Sequence, residues 1–384
     1  MIENCKKQEK RRTSGSRTRG MRRAAGDDSS IVISSRVRLA RNLAGVAFPG
    51  WAGEVERRMV CRQIAAIAAR VEELQNPRIL MMDEVSPVER MVLQERHLIS
   101  NELAEGSDGC ALLLDESCGI AVMINEEDHL RIQALGAGLV LDDIWQRVDA
   151  LDNALDSLLE YAFDEQFGFL TACPSNLGTG MRASVMLQLS GLRLTGELEQ
   201  VMNALDRLGL AVRGLLGEGT EAYGNIFQIS NQSSLGESEE EIVSGLQTLV
   251  QSLVRQERHA RLRVLQSRRN LLDDQLGRAL AILAHNRLLP SGEAIDLLAT
   301  LRLGVETGMI SGISSAALSG LMECIQPGHL QRSSGRGLTP EDRDAMRSQM
   351  VRSKLVDVRL SGRKHAIIPP EDTLGNSGQN QSGL

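Results

Sequence analysis

The sequence predicts an α+β chain in which an antiparallel β-sheet flanked by helices is followed by a small all-α C-terminal domain. Two observations carry this reading. Up to about residue 260, apolar runs of strand length alternate with helical periodicities, and the runs 110–115 and 119–125 are separated by a polar turn in the manner of a hairpin. Beyond about residue 260 the pattern is helical throughout. With 384 residues, 42% of them apolar, the chain is long enough for two domains, each with its own core.

Taken in order, residues 1–28 are basic and polar without apolar periodicity, and are expected to be a disordered extension. A strand opens at Ile31, and if it stays extended Arg36 and Arg38 fall on one face, while Arg41 receives no firm role. Helical spacing over 54–74 is closed by Pro77, a strand follows at 79–82, and a helix at 86–94. After the hairpin come a strand over 131–140 and an amphipathic helix over 141–162. Strands are expected at 169–173 and 183–189, a helix at 196–207, and strands at 210–215 and 225–231. The three glycines of Gly217–Gly224 mark the loop between the last two as a mobile lid. A long helix from Glu237 to about Arg268 ends this unit, and helices over 267–285, 290–304, 313–325 and 339–356 make the next. The tail from Gly375 is polar. The expected division is therefore 1–28, 29–260, 261–374 and 375–384.

Composition excludes several functions. No apolar run has the length of a membrane span, and the basic N-terminus lacks the apolar segment of a signal peptide, so a cytoplasmic protein is expected. Six cysteines without CxxC spacing read as reduced thiols, and no metal site is expected. A net charge of -7 and 2% aromatic residues argue against a nucleic-acid binder.

The chemistry is concentrated at Asn125–Arg131, N-E-E-D-H-L-R, where three consecutive carboxylates stand beside a histidine and an arginine. Acids stacked this closely raise one another's pKa, so a site that uses cations or moves protons is one reading and a solvated acidic turn the other. Three further blocks accompany it: Ser34–Arg41 (S-S-R-V-R-L-A-R), Gly168–Arg182 with C-P-S-N-L-G-T-G-M-R, and Arg213–Asn225. Together the four blocks resemble the phosphagen (guanidino) kinase family over roughly Ile31 to Arg255, and within it the bacterial protein-arginine kinases of the McsB type. The resemblance implies the guanidino kinase catalytic fold, which is glutamine-synthetase-like, and transfer of the terminal phosphoryl of ATP to a guanidinium. By family position, Ser34, Ser35, Arg36, Val37, Arg38, His97, Arg131, Arg182, Ala183, Ser184, Val185, Met186, Arg213, Gly214, Leu215, Leu216 and Gly217 would contact the nucleotide. Arginine forks suit phosphate oxygens. Mg2+ would travel with ATP, held mainly by phosphate oxygens and water.

The acceptor is a cation with a pKa above about 12 and a poor nucleophile. The resemblance implies Glu127 as its base, Glu126 as a support or metal-water contact, Glu218 as a second clamp and Cys173 in the guanidinium pocket. A small buried thiol is the plainer reading of any other cysteine here.

Animal-type family members carry a helical domain of about a hundred residues ahead of the first arginine block, a common domain size. Here about thirty residues precede it, which implies an acceptor side open to an arginine on a protein surface. Arg343-D-A-M-Arg347-Ser348 resembles the R-D-x-x-R-A motif of protein-arginine kinases, with serine in place of the last alanine. On a helix Arg343 and Arg347 share one face beside Asp344, which fits phosphoarginine; an ordinary charged helix face is the alternative. The resemblance further implies an activator protein, a Clp-type protease system or stress repressor, and a homodimer. A free-arginine kinase and a non-enzymatic phosphoarginine-binding adaptor are the competing functions.

Overall fold

A computed structural model describes the chain from residue 30 to 361, apart from residues 75, 107–108, 118 and 216–221. The expectations for the N-terminal extension, the C-terminal tail and most of the glycine loop lie outside the described residues. Eight strands form one antiparallel sheet: β1 (Val32–Arg41), β2 (Arg78–Met81), β3 (Ala111–Leu114), β4 (Ile120–Ile124), β5 (Leu130–Ala137), β8 (Met181–Gln188), β9 (Leu210–Gly214) and β10 (Ile226–Asn231). The short pair β6 (Phe163–Asp164) and β7 (Gly168–Phe169) forms a separate hairpin. The order is β2-β3-β4-β5-β1-β8-β10-β9, so the long β1 lies at the centre between β5 and β8.

Register decides what each face carries. Arg36 pairs with Leu135 and Ser184, Arg38 with Gln133 and Arg182, Ala40 with Arg131, and Gln228 with both Met186 and Arg213. Because directly opposed side chains share a face, five arginines at 36, 38, 131, 182 and 213 come to one side of the sheet. The alternate positions, Val37, Leu39, Ile132, Ala183, Val185 and Ile229, are buried on the other. Truncating one of them, Leu39→Ala, would cost about 2–5 kcal/mol.

That apolar face is covered by α1 (Glu54–Ala68), α4 (Leu141–Asp156), α5 (Ser190–Thr195), α6 (Leu198–Arg207) and the first half of α7 (Glu239–Ser267). The start of α7 is set by a capping box. Ser238 Oγ accepts from Glu241 N at 3.2 Å, and Glu241 Oε2 accepts from Ser238 N at 2.8 Å. On the arginine side, α2 (Pro87–Glu95) and α3 (Asn101–Glu105) cover a smaller core of Leu93, Leu98, Leu103, Leu112 and Met123.

The main core ends along α7 at Ala260, and a second core begins at Val264. It is built by α8 (Arg269–His285), α9 (Ser291–Glu306), α10 (Ser315–Cys324), α11 (Pro327–Ser334) and α12 (Pro340–Lys354), with the strand pair β11 (Ile310–Ser311) and β12 (Arg359–Leu360) at its edge. The predicted fold class holds. Five local points of the expectation are corrected. The helices expected over 54–74 and 141–162 stop at Ala68 and Asp156, and α5 and α11 were not foreseen. The strand expected over 169–173 ends at Phe169, because side chains claim its backbone: Asn42 Nδ2 donates to Leu170 O at 3.1 Å and Asp128 Oδ1 accepts from Ala172 N at 2.7 Å.

Candidate active site

The seven residues of the N-E-E-D-H-L-R turn divide by role. Asn125 takes the left-handed conformation, φ 55°, that folds β4 back into β5, and its Nδ2 donates to Arg57 O and Gly109 O. Asp128 Oδ1 accepts from Asn42 Nδ2 at 2.6 Å as well as from Ala172 N. Burial raises its pKa, and these two hydrogen bonds oppose the rise. His129 Nδ1 accepts from Leu43 N, which makes Nε2 the donor to Ala47 O at 3.1 Å. These three residues build the turn. The two glutamates between them face different surroundings. Glu126 has a fully buried side chain, with Oε2 2.7 Å from Arg131 Nη1, whereas the Glu127 side chain is 45% exposed and 3.9 Å from the same nitrogen. Glu126 therefore orients Arg131, while its buried Oε1 has no hydrogen-bond partner. The Glu127 carboxyl is pushed up by burial and by Glu126, with Arg131 opposing. It is the acid of this turn that is both solvent-facing and made more basic.

The arginine face opens into a cavity of about 490 Å³ lined by Arg36, Arg38, Arg131, Arg182 and Arg213 with His97, Glu127, Met186, Gly214 and Leu215. A smaller pocket of about 20 Å³ adjoins it at Ser34, Arg36, His97, Ser184 and Met186. Burial, then Arg131 and Arg182, lower the pKa of Arg36 to about 10. Arg38 is pushed well down by burial and by Arg36, Arg131 and Arg182, and its buried Nε has no hydrogen-bond partner. Burial, then Arg213 and Arg131, lower Arg182. For Arg131 burial acts the same way, but Glu126 more than offsets it. Among the described residues, Arg131 alone of the five has a carboxylate within ion-pair distance. Crowded guanidiniums with an unspent buried donor are a receptor for a polyanion. His97, held at φ 56° while Gln133 Nε2 donates to its carbonyl, is lowered to about 4 by burial and then by Arg36, so it meets a ligand as a neutral imidazole.

Four predicted contacts are corrected. Val37, Ala183 and Val185 turn into the apolar core, and Ser35 Oγ is buried between Gly138 O and Val140 N, because period-2 alternation sends these side chains to the opposite face. Leu216, Gly217 and Glu218 lie outside the described residues. Arg41 is structural: its fork donates to Asp152 Oδ2 at 2.7 Å and lies 3.5 Å over the Phe169 ring. Cys173 does not line the arginine cavity, and its Sγ is 3.1 Å from Ser175 Oγ. The bond from Ala172 N to Asp128 ties the neighbours of Cys173 and Glu127 together. Sequence reading missed Gln228 Oε1, which accepts from Arg36 Nη2 at 3.1 Å, and Ser230 Oγ, which accepts from Arg182 Nη2 at 3.2 Å. Their signal was present in the alternation of β10, where Gln228 and Ser230 interleave with Phe227 and Ile229.

In the helical region, Arg343 and Asp344 are half-buried on α12, but Arg347 is only 1% exposed. Its Nε donates to Ile325 O at 2.9 Å, and its Nη1 to Leu289 O and to Asp344. The guanidinium expected to hold phosphate is largely spent on the fold. Ser348 is buried, with Oγ donating to Asn286 O.

Residues 59–260 match the family described as ATP:guanido phosphotransferase, C-terminal catalytic domain, and residues 269–366 match the protein-arginine kinase McsB C-terminal domain. Protein-arginine kinases of Moorella thermoacetica and Bacillus cereus are each 46% identical, over 86% of this chain and 95% and 94% of theirs. Among solved structures, a lombricine kinase aligns with TM-score 0.54 and 28% identity over 62% of this chain and 68% of its own. A duplicated taurocyamine kinase from Schistosoma mansoni aligns with TM-score 0.54 and 26% identity over 63% of this chain and 35% of its own.

Proposed function

Since the chain belongs to the ATP:guanido phosphotransferase family, and within it to the protein-arginine kinases, we propose that its arginine cavity binds the triphosphate of ATP while Glu127 receives an arginine side chain of a protein substrate. The observation that carries this is the gathering of five arginines on one sheet face, two from alternate positions of β1 and one each from β5, β8 and β9. Phosphoryl transfer asks for positioning and charge stabilisation more than for covalent work. Arg36, Arg38, Arg182 and Arg213 neutralise phosphate oxygens, and Arg131, aimed by Glu126, faces the transferring group. Mg2+, when bound with the nucleotide, supplies further neutralisation of the phosphates. Neutral His97 offers the nucleotide a hydrogen bond without added charge.

On the acceptor side Glu127 fixes the guanidinium and takes its proton as the N–P bond forms, which its raised pKa favours. We assign Cys173, whose neighbour Ala172 is tied to Asp128, to the acceptor's surroundings, and keep Glu218, which lies outside the described residues, as the proposed second clamp. The helical region from residue 261 is read as a regulatory domain in which Arg343 and Asp344 contact phosphoarginine and Arg347 holds Asp344 in place. The reading extends to a cytoplasmic enzyme, homodimeric, working with an activator protein and a Clp-type protease or a stress repressor. No helix of the described residues is long and apolar enough to cross a membrane.

The test is incubation with magnesium-ATP, an unrelated protein and free arginine together. Acid-labile phosphate on protein arginine is expected. Label confined to free arginine would favour a phosphagen kinase, and no label on either would sink the reading.

A further inference from the structure

A second cavity, of about 360 Å³, is lined in part by Gly178 and Thr179 at the end of the Cys173 loop and shares no residue with the arginine cavity. Its floor is backbone. Phe169 N donates to Gly178 O at 2.8 Å, and Thr179 N donates to Ser234 O at 3.1 Å. Gly168 and Gly178 both have positive φ, and a Cβ on either would come within 2.5 Å of a neighbouring carbonyl oxygen, so the floor requires glycine at both. On one wall Asp164 Oδ1 accepts from Gln166 N and Phe167 N, a turn that presents Phe167 outward beside Phe163. The other wall is Leu235, Glu237 and Glu239.

Two features set this surface apart. Phe163, Phe167 and Leu235 are 58%, 44% and 53% exposed, in a chain with only five phenylalanines, three of which line this groove. A chain so poor in aromatics has placed two of them in water at one spot. The lining also includes two glutamates and no lysine or arginine. The groove is joined through the chain to the proposed acceptor side, since Gly178, part of its lining, ends the loop that Cys173 begins. Ser234 Oγ donates to Leu177 O at 3.0 Å and to Ser175 O at 3.4 Å. Five residues span at most about 17 Å.

We infer that this groove docks the segment of substrate polypeptide beside the target arginine, with an aromatic or branched apolar side chain between Phe163, Phe167 and Leu235 and a basic residue against Glu237 and Glu239. The inference rests on the protein-arginine kinase reading and adds to it a preference for sequence context. Given the span of the loop, the docked side chain lies within about five residues of the arginine.

The test uses the full chain and single-arginine peptides that carry either phenylalanine and lysine, or alanine and serine, four residues from the arginine. Wild-type protein is expected to use the first with roughly tenfold higher kcat/KM. The double variant Phe163→Ser/Phe167→Ser, altered only at exposed side chains, should lose that preference while keeping its rate on the alanine-serine peptide and its KM for ATP. Glu237→Lys should lose the part due to lysine. Equal use of both peptides by wild type, or an equal fall on both in the double variant, overturns the docking role. So does an intact preference accompanied by a weakened dimer in sedimentation, which would assign the groove to a second copy. Should wild type phosphorylate neither peptide, the kinase reading fails separately. Anisotropy of the fluorescein-labelled phenylalanine peptide then decides, with weaker binding to the double variant supporting the groove and equal binding overturning it.

Discussion

Replacing Arg36 by methionine should make the ligand-free protein more stable while removing its response to nucleotide. Burial, then Arg131 and Arg182, bring the Arg36 pKa from 12.5 to about 10. A cation whose pKa is lower folded than unfolded destabilises the fold at every pH below the folded value, and here the penalty at neutral pH is about 3 kcal/mol. Methionine keeps much of the apolar stem but loses the bond to Gln228, worth about 1 kcal/mol. The net expectation is about 2 kcal/mol, or a rise in Tm of about 4–8 °C. Wild-type protein at a hundredfold excess of ATP over Kd should gain about 2.7 kcal/mol, and the variant almost none. Thermal and urea unfolding at pH 7, with and without magnesium-ATP, measure both quantities. The difference should fade as pH rises through about 10, where Arg36 begins to neutralise. A variant that melts at or below wild type, or that keeps the nucleotide shift, would refute the idea that the arginine face stores repulsion for a polyanion to relieve.

Three other outcomes follow from the geometry. Glu127→Gln should lower kcat by about 10²–10⁴ with KM for ATP unchanged, since it removes a base and no phosphate contact; a KM effect alone would reassign the residue to binding. Arg347→Leu should destabilise by about 3–5 kcal/mol, because it strands Ile325 O, Leu289 O and Asp344. Denaturation showing less than 1 kcal/mol would return Arg347 to the surface role first expected of it. Burial opposes a charged His329, but the carboxylates of Glu323 and Glu95 raise its pKa above 6.5. The stability this contributes is complete below about pH 6.5 and is lost as pH climbs through the raised folded value. Hydrogen exchange at Gly328 and His329, corrected for intrinsic rate, should quicken over that window in wild type and not in His329→Asn.

Much of this was legible in the sequence where function rides on strand period. Arg36 and Arg38, two apart, had to share a face if the chain was extended, and the charged turn after Ile124 announced the end of a strand at a site. What the sequence could not resolve is which member of a local pair does which task. Glu126 and Glu127 are adjacent and chemically identical. The left-handed Asn125 buries one beneath Arg131 and leaves the other in solvent. Arg41 received no firm role from the sequence, and Asp152, 111 residues away, gives it a structural one. Arg347 sat on a helix at a spacing that suited phosphate, and only the packing of Ile325 and Leu289 against it shows the fork already engaged. For Arg41 and Arg347 the deciding partner is remote in sequence.

On the proposed reading of the helical region as regulatory, the same logic of remote partners bears on how it would act on the catalytic region. It touches the site at two borders. At one, Glu95 at the end of α2 accepts from Gly328 N, His329 N and His329 Nδ1, capping the start of α11 two residues before His97. At the other, Asp296 of α9 accepts from Gly224 N, just beyond the loop that carries Glu218, while Gln188 at the end of β8 donates to Ala299 O and accepts from Arg302. Arg347 reaches the first border through Ile325, the residue that ends α10 immediately before α11. On the proposed regulatory reading, a ligand that pulls on Asp344 or Arg347 would act on the helix start that Glu95 caps, two residues before His97. By reciprocity, a nucleotide that orders His97 must strengthen that ligand by the same factor. Two separate contacts with the margins of the proposed site, rather than one, would let a regulatory domain shift nucleotide and acceptor binding in different proportions.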